Sequence, residues 1–176
     1  MEEAKLAAGT RLNVLSEQTT SYKLKSELLG VKIEIVCSTE HGEGWVENPS
    51  GGGAGLDLTT NNFTGCTVIK PSGCTVTEPV VAASKTELVE RGGVLLDLFT
   101  PDGTSVFVQI ELKTCGLLNG TYNVEGYTNG KINNSTGTLS FSKEGDGLKF
   151  GGNEAEFKGE SLVLSDAGGV LHISNP

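Results

Sequence analysis

The sequence predicts an all-β protein, an antiparallel sandwich or barrel of many short strands stapled by disulfides. Three observations carry that expectation. Apolar and polar residues alternate with period 2 along most of the chain, as strands with one buried face require. Glycine, at 25 of 176 residues, is about twice its ordinary share of roughly 7% and combines with Asn, Asp and Ser to punctuate those runs. The four cysteines are an even number, which in an extracellular chain reads as two disulfides.

Residues 1–18 read as an N-terminal arm with one edge strand, and 19–176 as a single β domain. EEAKLAA offers a helical turn at the start, and Thr10 to Leu15 a strand in which Leu12 and Val14 alternate with Arg11 and Asn13. In GVKIEIVC, Val31, Ile33, Ile35 and Cys37 share a face opposite Lys32 and Glu34. CSTEHGEGW, residues 37–45, reads as a polar glycine turn, and NPSGGGAG, 48–55, as the longest loop. VVAASKTELV follows Pro79; its β-branched residues favour strand over the competing helix. GGVLLDLFTPDGTSVFVQIEL reads as a hairpin of 93–99 with 104–112, turned by Pro101-Asp102-Gly103, with Val106, Val108, Ile110 and Leu112 inward. Shorter strands follow in GTYNVEG, GTLSF, GLKF, AEF, SLVLS and VLHIS.

Charge narrows the partners. Thirteen Lys and Arg against 22 Asp and Glu give a formal −9, which repels phosphate backbones and anionic lipid surfaces, so no nucleic-acid partner is expected. No run approaches the ~20 apolar residues of a membrane-spanning helix. MEEAKLAAGT lacks the positive region and apolar stretch of a signal peptide, so a cytosolic chain or a mature form lacking its leader is expected.

Four thiolates could hold zinc, but structural zinc sites favour close Cys-x-x-Cys pairs, whereas 28, 7 and 40 residues separate these cysteines. A redox dithiol would need a similar motif at a helix start. Disulfides fit better. Of the three possible connectivities, Cys66 with Cys74 across a turn at Pro71-Ser72-Gly73, and Cys37 with Cys115, is the favoured one. Glu40, His41, Glu43 and Trp45 form the possible ligand-binding group, the acids and His41 for a cation and Trp45 as a flat face for a sugar. Packing and a plain turn are the simpler reading of the same residues. His172 alternates between Leu171 and Ile173 as a solvated strand residue.

No nucleophile elbow, metalloprotease helix or phosphate loop occurs, and no catalytic residue, metal or cofactor is expected. Glu111 with Glu125 could make a glycosidase pair, although strand carboxylates are more often solvated. Glu144 and Asp146 are too few for a tight calcium site, which takes six to eight oxygens. Asn62, Asn119 and Asn134 begin Asn-x-Thr triplets that Asn-rich turns also generate by chance.

The succession GTRLNVLSE, YKLKSELLGVKIEIVCS, a Gly-rich gap, FTGCTV with a second Cys eight residues on, KTELVE, GVLLDLFTPDGTSVFVQIEL and Cys115 resembles a group of uncharacterised secreted four-cysteine β-rich proteins of actinobacteria. The resemblance covers about residues 9 to 127. It implies export through a removed leader and a β-rich fold, and it carries no catalytic residue. It weakens at SKTEL, where a Pro of the group's pattern is missing, and beyond about Gly130. The expectation is a non-enzymatic extracellular or cell-surface domain for adhesion, recognition or surface assembly, with an unknown protein or glycan as partner. A secreted carbohydrate-binding or carbohydrate-active module is one alternative. Another is a filament subunit that self-associates through its N-terminal strand.

Overall fold

The computed structural model describes residues 6–51, 55–143 and 146–171. Long alternating segments become long strands: β1 (Arg11–Gln18), β2 (Tyr22–Leu28), β3 (Val31–Glu47), β4 (Leu56–Lys70), β5 (Thr75–Val76), β6 (Val80–Arg91), β7 (Val94–Pro101) and β8 (Val106–Lys113). A short 3-10 turn at Gly116–Leu118 precedes β9 (Gly120–Glu125), β10 (Thr128–Asn133), β11 (Thr138–Phe141), β12 (Lys149–Phe150), β13 (Asn153–Glu154) and β14 (Glu156–Ser165).

Nine of these strands close into an antiparallel barrel of eight staves, because β1 and β2 share one stave. Both pair with β3 on one side and β14 on the other, β1 opposite Glu47 to His41 and β2 opposite Cys37 to Val31. The remaining order is β3, β4, β6, β7, β10, β11 and β14, so no open edge interrupts the circuit. Tight turns set the register. Leu29 and Gly30 both have positive φ, 50° and 78°, as do Gly92 and Gly93, the two-residue geometry whose twist matches a hairpin.

The lower parts of β2, β3 and β4 face a second sheet, ordered β13-β12-β9-β8-β5. Between them Leu28, Ile33, Val68, Leu112 and Phe150 form part of a buried hydrophobic core. Above it Tyr22, Phe63, Phe99, Phe141 and Phe157 make an aromatic floor for the barrel, with neighbouring ring centroids 5.2–6.2 Å apart. Gly159 has no side chain because the Tyr22 ring lies where its Cβ would be.

The all-β disulfide-stapled architecture and the strand reading of 80–91 hold, but several finer expectations are corrected. The disulfides join Cys37 to Cys66 and Cys74 to Cys115. Cys37 and Cys66 are direct cross-strand neighbours of β3 and β4 with Cα atoms 3.9 Å apart, whereas Cys74 follows the exit from the barrel and lies beside the end of β8. Hairpin pairing of 93–99 with 104–112 does not occur, since β6 and β10 occupy both edges of β7 and the chain leaves at Pro101 to begin the second sheet. Within β8 a bulge between Val106 and Val108 turns Phe107 into the core, breaking the simple alternation. The edge strand of the N-terminal arm is instead a barrel stave with both edges paired. The helical-turn expectation for EEAKLAA falls largely on residues 1–5, outside the described residues, as do Glu144 and His172.

Candidate functional site

Residues 37–45 do not turn. They continue as β3 through the barrel wall, paired with β1 and β4, and their alternation slips by one at Ser38 and Thr39 so that Cys37 and Glu40 both point inward. Opposite the slip, Gly65 has φ +61°, and Ser38 occupies the space its Cβ would need. The possible ligand-binding group is therefore split by the wall. Glu40 is 2% exposed inside the barrel, while His41 and Glu43 are exposed. Trp45 is half-buried with the Arg11 guanidinium 3.9 Å above its ring, and Arg11 also donates to Glu47 at 2.7 Å. Among the described residues no three His, Cys, Asp or Glu side chains gather as a metal site.

Inside, Glu40 is the centre of a saturated polar network. Its Oε1 accepts from Ser16 Oγ at 2.8 Å and Asn61 Nδ2 at 2.7 Å, and its Oε2 from Ser161 Oγ at 2.7 Å. Tyr22 donates in turn to Ser161 Oγ at 2.5 Å. Burial, reinforced by the charges of Glu40 and Glu160, pushes the Tyr22 phenol well above its ordinary range and keeps it a donor. Gly42 completes the arrangement, because a Cβ there would collide with Ser16 Oγ, Asn61 Nδ2 and Glu40 Oε1.

Toward the opposite end of the barrel, a second polar group spans three neighbouring staves. Asp57 on β4 faces Thr86 on β6, and Asp97 on β7 lies opposite Leu88, two residues along β6. Thr86 Oγ1 donates to Asp57, and the two aspartates stand close enough to influence one another's ionisation. Asp97 is 4% exposed, and burial, with the Asp57 charge added, pushes its carboxyl well above the ordinary aspartate range. Burial raises Asp57 as well. Burial and the nearness of a second carboxyl both disfavour two separate negative charges at this pair. Ser84 and Thr59, opposite one another on β6 and β4, bond at 2.9 Å beside it.

These groups border a cavity of about 1030 Å³ that runs from the end of the barrel where Leu12, Val46, Leu56, Leu88, Ile132 and Val163 stand, past the aromatic rings, to Phe107, Ile110 and Val124 of the second sheet. Leu56 and Val170 are exposed there, marking the opening. Most of the wall is hydrocarbon. Asp57, Asp97, Ser16, Asn61 and Ser161 supply polar points along it. Such a mixture, largely apolar with a few fixed polar groups, suits an enclosed small molecule, whose pockets run to roughly 300–1000 Å³.

The remaining acids are placed elsewhere. Glu111 and Glu125 stand four rows apart on the β8–β9 ladder, roughly 13 Å at a strand's rise, so they do not form a glycosidase pair. Asp146 accepts from the Asn129 amide at 2.8 Å and Thr128 Oγ1 at 2.9 Å, and burial raises its carboxyl. The interior acids Asp57 and Asp97 escape a search for motifs, but a signal existed. Asp57, Thr59 and Asn61 occupy the inward phase of LDLTTNNF, and Asp97 stands among leucines in VLLDLF.

The fold and site together define a hollow closed antiparallel β-barrel with a polar-studded apolar interior, backed by a second sheet. No family model, curated protein or solved structure matches the chain. No helix among the described residues is long and apolar enough to cross a membrane.

Proposed function

We propose that this protein is a non-enzymatic, extracellular recognition module whose barrel encloses a small, largely apolar molecule. The observation that carries the reading is the cavity of about 1030 Å³ inside a barrel whose staves are all paired. A space that size is unusual in a protein interior, which ordinarily packs as densely as an organic crystal. Two disulfides favour life in an oxidising compartment, in keeping with the export implied by the four-cysteine resemblance. A glycan at Trp45 is less favoured because Arg11 already covers its ring. Filament assembly by donation of the N-terminal strand is less favoured because β1 already has two partners.

Pyrene, a neutral hydrocarbon whose emission reports polarity, tests the reading. The wild-type protein is expected to bind it saturably at one site, and Ala82→Trp, which puts an indole into the cavity from an inward position on β6, to weaken binding while keeping the far-ultraviolet spectrum of a β protein. Binding that Ala82→Trp leaves wholly unchanged, or no saturable binding to the wild type, would overturn it.

A further inference from the structure

The ionisable groups of the cavity are one-sided. Asp57 and Asp97 line it, and Glu40 stands in the wall behind Ser16, Asn61 and Ser161. Among the described residues the one cationic side chain along its border, Lys23, is directed to Glu34 at 3.4 Å. Each ion pair among the described residues involves other acids, Glu47, Glu34, Glu111, Glu154 and Glu156, and none reaches Asp57 or Asp97. A carboxyl pair with one member ionised keeps one negative charge, and a buried charge is costly unless a counter-charge or hydrogen bonds compensate it. Thr86 gives one hydrogen bond to Asp57; the cavity side of the pair is open to a ligand.

Resting on the container reading above, we propose that the barrel selects apolar ligands bearing a protonated amine, whose ammonium group pairs with Asp57 and Asp97 while the hydrocarbon lies along the cavity wall. An ammonium group has three donors for the two carboxyls and supplies the missing positive charge. A carboxylate ligand of the same length would bring a second negative charge beside the first, with no cation to receive it. A divalent metal is a poorer occupant, because two carboxyls and one hydroxyl fall well short of the six to eight oxygens calcium takes. The aspartates sit one stave either side of β6, so both reach the same ligand head from neighbouring strands.

Displacement of bound pyrene by three ten-carbon competitors at neutral pH tests the selection. Decylamine is expected to compete at least about ten-fold better than decanol, the worth of a charge-assisted over a neutral contact, with decanoate the weakest of the three. Asp97→Asn and, separately, Asp57→Asn should each bring decylamine close to decanol while leaving pyrene binding in place. Wild-type protein on which decanol or decanoate equals or exceeds decylamine would overturn the proposal, as would an amine preference untouched in both variants. Failure of pyrene to bind at all refutes the container reading itself, which separates the two outcomes. The wild-type competitor series requires no variant to fold.

Discussion

Glu40 accepts from three side-chain donors, so its value lies in what its removal would strand. Glu40→Ala leaves Ser16, Asn61 and Ser161 facing a gap in the wall. The expected loss is about 3 kcal/mol, since each unmet buried donor costs roughly 1–3 kcal/mol and the adjoining cavity lets some solvent in. Urea unfolding measures it, and a loss below about 1 kcal/mol would mean the network is not a unit. Leu29 makes the opposite point. It occupies a left-handed position at φ 50° and is 79% exposed, so its side chain strains the turn without packing against anything of note. Leu29→Asn should stabilise the protein by roughly 0.5–1 kcal/mol, because Asn accepts that conformation more readily. A lower melting temperature for the variant would contradict this account of the turn.

At the scale of elements, each disulfide closes a different part of the molecule. Cys37–Cys66 ties adjacent staves over a separation of 29 residues, and Cys74–Cys115 ties the entrance of the second sheet to its β8 strand over 41. In the chain-entropy account each contributes about 3–4 kcal/mol, so the Cys37→Ser/Cys66→Ser and Cys74→Ser/Cys115→Ser pairs should each lose stability of that order. Peptide mapping of unreduced protein should recover residue 37 linked to 66; a 66–74 link would contradict the sheet arrangement. The β4 and β7 staves also carry a pH dependence. Because the folded-state value of Asp97 is raised, the native state binds more protons than the unfolded chain above the ordinary aspartate value of 3.8. Its contribution is therefore fullest below that value and is lost as pH rises through the raised value. Asp97→Asn should flatten that descending limb relative to wild type in unfolding curves taken across the acidic-to-neutral range, and parallel curves would refute the assignment.

Strand segments such as 31–37 and 80–91 were legible because period 2 and β-branched residues act locally. The continuation of β3 through CSTEHGEGW was not. Its glycines look like a turn, yet Gly42 is required by the close approach of the Glu40 network, a contact made with β1, β4 and β14, far away in sequence. Disulfide pairing failed for a similar reason. Pro71-Ser72-Gly73 does turn the chain, but into another sheet rather than back on itself.

For the whole molecule, closure decides the function. Alternation of apolar and polar residues fits a sandwich or a barrel equally, and the choice between them rests on β1 and β2 sharing a stave between β3 and β14, which no local pattern reveals. Once the barrel closes, small inward residues such as Ala82 and Ser84 leave the interior unfilled. The most direct test of that hollow interior is methyl nuclear magnetic resonance during titration with decanol. Saturable shifts should be concentrated at Val14, Leu88, Leu139 and Val163, which border the cavity, while the exposed methyls of Leu29 and Val81 stay put. Shifts confined to those exposed residues, or none that saturate, would contradict the account of the barrel as a container.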